Sequence, residues 1–297
     1  MNLLPLLTMT LLTLAADAPL AAGDHVRHLQ VEGFDRTYLV HIPPQYDPQK
    51  PTSVVLAFHG AFNNGTIMML FSGLNRKADK AGFIAVYPEG TGKGPLLFFN
   101  PNRKPRKGWP SDVRFTDKLL DDLATIVTVD PKRVFATGIS NGGMMCYRLA
   151  ADLSQRIAAI APVSGAMTFT DCQPDRPVSI IHFHGTADPL VPLEGKQGAI
   201  LNFRPVDETM QAWARLDGCP SVPKIESLPD KADDGTRVTR TTYGPGKEGS
   251  EVVLYTIENG GHSWPGRNSG FGLLGKSTQD ISANDLIWDF FQRHPMQ

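Results

Sequence analysis

The sequence lacks a strong charge of either sign. Its 29 Lys and Arg residues nearly balance 30 Asp and Glu residues, so the formal net charge at pH 7 is −1. Proteins that bind nucleic acid or anionic membranes through a whole face carry a marked positive excess. The balance argues against both partners, and we expect function to come from a local site.

The chain also lacks long hydrophobic runs beyond its N-terminus, which argues against a membrane span. The N-terminus reads MNLLPLLTMTLLTLAADAPLAAGD. Its apolar stretch is short and ends in small residues, which is typical of a secretory signal peptide. No Lys or Arg precedes it, so a core helix or an N-terminal anchor remains the alternative. We predict a signal peptide over 1–22, cleaved after Ala16 or Ala22, and a secreted or periplasmic protein.

Cysteine is scarce, with three in the chain. Cys146 falls in a helical pattern, where a small apolar residue fits a buried face. Cys172 and Cys219 lie in loop-like contexts, and an oxidising compartment would favour a disulfide between them. We predict that bridge, with two free thiols as the alternative.

What the sequence does contain is a regular alternation of strands and helices. Apolar runs typical of buried strands lie at 53–60, 83–90, 133–138, 157–165, 178–185 and 251–260, and 36–43 with the preceding HLQVEG reads as a hairpin. Helical patterns lie at 111–127, 142–153, 207–218 and 283–294. This order predicts one α/β domain over 24–297, with a mostly parallel sheet of about eight strands and helices on both faces.

The segment VFATGISNGGMM carries the strongest chemical signal. Ser140 lies between Gly138 and Gly142, where a predicted strand meets a predicted helix. The G-x-S-x-G pattern in this context is typical of a nucleophile elbow, whose glycines allow a tight turn that exposes the serine hydroxyl. The alternative is a serine that only caps the helix. The context favours Ser140 as a nucleophile.

A serine nucleophile needs a base, and the base needs an orienting acid. In this arrangement the acid follows the serine in the chain and the histidine comes last. Asp188 follows strand 178–185, and His262 follows strand 251–260. Loops after parallel strands open at one edge of a sheet, so we predict Ser140, Asp188 and His262 as a catalytic triad.

The attack of a serine nucleophile on a carbonyl gives a tetrahedral intermediate, whose oxyanion needs hydrogen-bond donors. We predict the backbone N–H groups of Asn141, directly after the serine, and of Ala61, after strand 53–60. His59 is expected to fix the turn that carries Ala61. Trp264 either lines the substrate pocket or fills the core, and we name it as a predicted substrate-binding residue.

Two motifs suggest cofactors and fail on inspection. EGTGKGPLL lacks the Ser or Thr of a phosphate loop because Gly94 stands in that place. HFHGTAD looks like a metal cluster, but Thr186 stands where the acidic ligand belongs. We expect no cofactor and no metal.

The segments LAFHGAFNNG, GFIAVYPEGTG, VDPKRVFATGISNGGMMCYRLA, HFHGTADPLVP and GGHSWPG resemble the polyhydroxybutyrate depolymerase / feruloyl esterase family of α/β-hydrolases. The resemblance extends over about 35–292. It implies a secreted serine carboxylesterase that works through an acyl-enzyme, with the triad and oxyanion donors named above. Family substrates are polyesters, or aryl or acetyl esters of plant polysaccharides. The basic loop 88–110 is longer than the family pattern, and its role stays open.

The predicted function is therefore a polyhydroxyalkanoate depolymerase-like esterase. A feruloyl or acetylxylan esterase is the alternative, and a catalytically silent binding module is the alternative of another class. Few residues separate strands 157–165 and 178–185, which leaves no room for a large cap. We expect an open cleft between loops 88–110 and 263–278 that admits an ester on a polymer. The sequence leaves the oligomeric state open.

Overall fold

The computed structural model describes residues 20–104, 106–196, 202–267 and 272–297. The predicted signal peptide lies outside the described residues except for 20–22, and it stays a prediction. Among the residues that the structure does describe, no helix is long and apolar enough to cross a membrane.

A ten-stranded sheet forms the centre of the molecule. Its strands are β1 (Gly23–Val31), β2 (Phe34–Ile42), β3 (Thr52–Phe58), β4 (Ile84–Pro88), β7 (Val129–Ile139), β8 (Ala159–Val163), β9 (Ser179–Gly185), β10 (Lys224–Ser227), β11 (Arg237–Tyr243) and β12 (Val252–Glu258). Their order across the sheet is β1-β2-β4-β3-β7-β8-β9-β12-β11-β10. The run from β4 to β12 is parallel, and antiparallel strands flank it on both sides.

Helices cover both faces of the sheet. They are α1 (Gly65–Ser72), α2 (Leu74–Ala81), α3 (Asp112–Ile126), α4 (Asn141–Asp152), α5 (Val206–Leu216) and α6 (Ala283–Arg293). One core cluster packs α3, α4 and α5 against the sheet, and a second packs α1, α2 and α6 against its other face. Strand β3 shows the reason: Val54 belongs to the first cluster and Val55 to the second, because successive side chains point to opposite faces. The predicted α/β class with helices on both faces is confirmed.

The strand count differs from the prediction of about eight because two strands at one edge escaped it. Strands β10 and β11 are antiparallel, and their side chains are mostly polar and partly exposed. Such edge strands lack the apolar run that marks a buried strand. The segment predicted as the irregular loop 88–110 also contains structure, a short hairpin of β5 (Thr91–Lys93) and β6 (Leu96–Phe98).

Candidate active site

Ser140 occupies a strained turn between β7 and α4. Its backbone angles are φ 57° and ψ −121°, a region that residues with a Cβ rarely adopt. The N–H of Ser140 donates to the Val163 carbonyl at 2.9 Å, and its own carbonyl accepts from the N–H of Met144 at 2.9 Å. These two bonds fix the turn from both sides. The Ser140 side chain makes no capping hydrogen bond to α4, so the capping alternative does not describe this serine.

The flanking glycines are required by contact as well as by turn geometry. A Cβ at Gly142 would lie 2.1 Å from the carbonyl oxygen of Phe58, and one at Gly138 would lie 2.7 Å from the same atom. Both distances are far below a van der Waals contact. The two glycines therefore let the end of β3 lie directly against the Ser140 turn, as the G-x-S-x-G pattern predicts.

Asp188 and His262 form a direct hydrogen bond. His262 Nδ1 lies 2.8 Å from Asp188 Oδ2, and both side chains are buried. The carboxylate accepts, so Nδ1 carries a proton, and in the tautomer with that single proton Nε2 is an acceptor. This is the tautomer that a general base needs.

The loop of Asp188 holds its carboxylate ionised. Oδ1 accepts from the backbone N–H groups of Leu190 and Val191, each at 2.9 Å. Burial raises the pKa of the carboxyl, but the hydrogen bonds from His262 and Val191 outweigh it, so the pKa of Asp188 lies below its usual value.

The sheet brings the three predicted triad residues to one edge. Strands β7, β8, β9 and β12 are consecutive neighbours and run parallel. Ser140 follows β7, Asp188 follows β9 and His262 follows β12. All three therefore lie at the carboxyl edge, and two of them are hydrogen-bonded to each other.

The turn at 59–61 packs against the elbow. A Cβ added to Gly60 would lie 3.5 Å from the Cβ of Ser140. His59 fixes this turn: Nδ1 donates to the Gly60 carbonyl at 2.8 Å, and Nε2 accepts from the N–H of Gly90 at 3.0 Å. Burial lowers the pKa of His59 to about 4, so the ring is neutral. Ala61 is the last residue of this segment and is exposed.

Asn141 has two separate features. It is the first residue of α4, so its backbone N–H has no acceptor within the helix. Its side chain pairs with the backbone of Phe99, accepting from the N–H at 2.7 Å and donating to the carbonyl at 3.0 Å. This side-chain pairing, which the sequence did not predict, ties the segment after β6 to the Ser140 turn.

A buried chain of hydrogen bonds, here called the histidine chain, lies behind Asp188. Tyr147 Oη, His182 and His184 are joined in series at 2.7 Å (Oη to Nδ1) and 2.9 Å (Nε2 to Nδ1), and His184 Nε2 donates to the Val191 carbonyl at 2.7 Å. Because a carbonyl only accepts, every proton in the chain has one place: Tyr147 donates to His182, and His182 donates to His184. Burial lowers the pKa of both histidines, in keeping with neutral rings.

The histidine chain supports the predicted acid indirectly. Val191 gives its N–H to Asp188 and its carbonyl to His184. The sequence carries no signal for this partnership, because Tyr147 lies on α4 and the two histidines lie on β9. Among the described residues, no group of three or more His, Cys, Asp or Glu side chains is placed to hold a metal ion.

Two predicted features do not match the structure. Trp264 has no exposed surface, and its indole N–H donates to Asn284 at 2.9 Å, so it fills the core and does not line a pocket. Cys172 and Cys219 are free thiols, not a disulfide. Each packs partly against the core, and burial raises the pKa of Cys172 to about 12 and of Cys219 to about 11. Thiols that stay protonated react slowly.

Comparisons with known proteins agree with this architecture. The phospholipase/carboxylesterase family profile matches residues 47–200. NocK of Nocardia uniformis subsp. tsuyamanensis, a protein named as an esterase, is 31% identical over 89% of this chain and 81% of its own length. Feruloyl esterase C of Emericella nidulans is 31% identical over 88% of this chain and 85% of its own.

Among solved structures, an acetyl xylan esterase from Aspergillus awamori superposes with a TM-score of 0.64 at 17% identity, over 90% of this chain and 99% of that one. At this identity the likeness speaks for the fold. The profile match and the similarity to NocK speak for more: the chain belongs to the phospholipase/carboxylesterase family of α/β-hydrolases and is a carboxylic ester hydrolase.

Proposed function

We propose that Ser140, His262 and Asp188 hydrolyse carboxylic esters through an acyl-enzyme. The observation that carries this proposal is the strained turn at Ser140. The Ser140 side chain makes no capping hydrogen bond to α4. Strain of this kind is found at functional sites, where a side chain is held in place for a reaction. The hydrogen-bonded pair of His262 and Asp188 at the same sheet edge supports it.

In the first step Ser140 Oγ attacks the carbonyl carbon, and its proton passes to His262 Nε2. Asp188 stays ionised and stabilises the imidazolium through Nδ1–H. The oxyanion accepts from the N–H groups of Asn141 and Ala61, next to the positive end of the α4 dipole. Collapse of the intermediate breaks the C–O bond to the alcohol, which takes the proton from His262. Water then repeats the sequence on the acyl-enzyme and regenerates Ser140.

For the substrate we propose aryl or acetyl esters of plant polysaccharides, in preference to polyhydroxyalkanoates. Support comes from the relative named feruloyl esterase C, which matches most of both chains. The relatives described above carry esterase and feruloyl esterase names, and none carries the depolymerase name that the sequence analysis put first. The predicted silent binding module loses its support, since the chain belongs to an esterase family.

The test of the nucleophile compares two serine variants. Ser140→Ala should lose turnover of p-nitrophenyl acetate by at least about 10³-fold. Ser164 follows the neighbouring strand β8 and also has a positive φ of 47°, but it is buried. Ser164→Ala is therefore the matched control and should retain activity. A fluorophosphonate should label Ser140 in the wild type and in the control. Label on another serine would refute the assignment.

The substrate assignment is tested by a panel of methyl ferulate, acetylated xylan, hydroxybutyrate oligomers and emulsified tributyrin. We expect a higher kcat/KM for methyl ferulate and acetylated xylan than for the other two substrates. The expected open cleft between loops 88–110 and 263–278 has no lid, so the rate should not increase when tributyrin passes its solubility limit. Preference for hydroxybutyrate oligomers would return the depolymerase reading. We also propose export, which mass spectrometry of protein from the native host tests by finding an N-terminus after Ala16 or Ala22.

A further inference from the structure

The segment 90–111, called here the basic segment, has an unbalanced charge. It contains five basic residues and no acidic residue: Lys93, Arg103, Lys104, Arg106 and Lys107. Arg103 is paired with Asp152 and Asp171. Within the described part of the chain the other four form no ion pair, so the charge of this surface is open to a partner.

Arg106 is held in place by aromatic rings. Its guanidinium carbon lies 3.9 Å from the ring centre of Trp109 and 5.0 Å from that of Phe98, and the two rings lie 4.6 Å apart. A guanidinium held over an aromatic ring keeps N–H groups for other partners, and a pair of them matches both oxygens of a carboxylate. Contact with the two rings already restricts the Arg106 side chain, so less conformational entropy is lost when it binds a ligand.

Arg106 and Trp109 also line a cleft of about 350 Å³, together with Arg103, Arg114 and Arg148. The arginines of this cleft differ in whether an acidic side chain pairs with them. Arg114 pairs with Glu32, and Arg148 pairs with Asp152, whereas Arg106 has no acidic partner among the described residues. The cleft has the size of a small-molecule site, and its unmatched charge is at Arg106.

A row of rings connects the cleft to the proposed active site. Phe62 directly follows Ala61, its side chain is 70% exposed, and its ring lies 6.0 Å from that of Phe98. Phe62 also has a positive φ of 59°, which is costly for a bulky residue. Backbone strain of this kind clusters at sites that hold ligands, and the exposed ring of Phe62 is free to contact one.

We propose that the basic segment binds a polysaccharide that carries uronic acid residues. The carboxylate of a uronate pairs with the free edge of Arg106, and the apolar faces of sugar rings pack on Trp109, Phe98 and Phe62. This inference deepens the proposed function, on which its choice of substrate rests. The row of rings would lead the polymer from Arg106 toward Ala61, where the ester reacts.

The test measures binding without catalysis, so its outcome is separate from that of the proposed function. Ser140→Ala protein is run in native gels that contain alkali-treated, ester-free glucuronoxylan or neutral arabinoxylan. We expect glucuronoxylan to retard the protein more strongly, and retardation to weaken as salt rises from 20 to 300 mM. Adding Arg106→Gln should raise the apparent Kd for glucuronoxylan about tenfold, as expected for a charge-assisted hydrogen-bonded pair.

Two comparisons make the result decisive. Arg237→Gln removes the same charge from the exposed first residue of β11 and should leave binding unchanged. Free glucuronate should compete better than inorganic phosphate at equal concentration. Equal retardation by both polymers, equal effects of the two Gln variants, or phosphate competing as well as glucuronate would each overturn the proposal. Thermal melting of both variants verifies that they remain folded.

Discussion

Removing the middle residue of the histidine chain should destabilise the protein in a way that a second mutation partly repairs. His182 accepts from Tyr147 and donates to His184, and all three side chains are fully buried. His182→Leu leaves His184 Nδ1 without its donor, and among the described residues the Tyr147 hydroxyl keeps only a weak acceptor, Met210 Sδ at 3.7 Å. Each buried unpaired group costs about 1–3 kcal/mol, so the free energy of unfolding should fall by about 2–6 kcal/mol.

The repair is Tyr147→Phe. By itself this change leaves His182 Nδ1 without its donor, at a cost of about 1–3 kcal/mol. Combined with His182→Leu, it removes the stranded hydroxyl, and only His184 Nδ1 remains unpaired. The double variant should therefore be more stable than His182→Leu alone by about 1–3 kcal/mol.

Urea unfolding at pH 7.5, followed by circular dichroism, measures all four proteins of this cycle. The sign of the coupling decides. If the two changes simply add, so that the double variant is the least stable of the four, the protons of the histidine chain are not arranged as the Val191 carbonyl requires. Tyr147→Phe alone also tests whether the hydroxyl has any other buried partner, since within the described ranges its one further hydrogen bond is to Met210 Sδ at 3.7 Å.

Three further predictions concern stability and the thiols. The melting temperature should fall from pH 6.5 to pH 4.5, because His59, His182 and His184 have lowered pKa values in the folded protein. In this range the unfolded chain takes up protons that the folded protein excludes. Each histidine then lowers the free energy of unfolding by up to about 1.4 kcal/mol per pH unit. Asp217, whose pKa burial raises to about 7, opposes this slope, so Asp217→Asn should steepen it; a flat profile would contradict the neutral rings. Gly142→Ala should abolish activity, because its Cβ would overlap the Phe58 carbonyl. Denaturant titration should show that the free energy of unfolding falls by about 3 kcal/mol or more. A variant as stable as the wild type would disprove the contact. Thiol titration of denatured, unreduced protein should find three free cysteines, and fewer would restore the predicted bridge.

The central part of the fold was predictable because its signal is local. Strands buried on both faces must be apolar throughout, and β4 and β8 are buried over their full length, so the sequence shows them as continuous runs. The start of α3 was predictable for a similar reason: Ser111 caps it by accepting from the N–H of Arg114. The chain order of the candidate triad followed from the order of these strands.

What escaped prediction depends on contacts between distant parts of the chain. A tryptophan two residues from His262 suits a pocket or a core equally well, and its burial depends on packing in the core cluster that includes α6, where Asn284 accepts its indole N–H. Likewise, nothing in the sequence near His182 indicates that α4 brings a tyrosine hydroxyl to it. The roles of Ser140, Asp188 and His262 remain predictions to be tested by the variants above.

The double hydrogen bond between Asn141 and Phe99 has a consequence for anyone who wants to redesign this enzyme. The Asn141 amide holds the loop backbone at Phe99 through two hydrogen bonds. A second fixed point lies where the backbone of Leu97 pairs with that of Asn63. The same loop has further fixed points at Asn102 and Arg103, which bind Arg148 and Asp152 on α4. A library that exchanges 91–95 or 104–109 and keeps all these anchors should therefore vary what the enzyme accepts without displacing the turn that carries its serine.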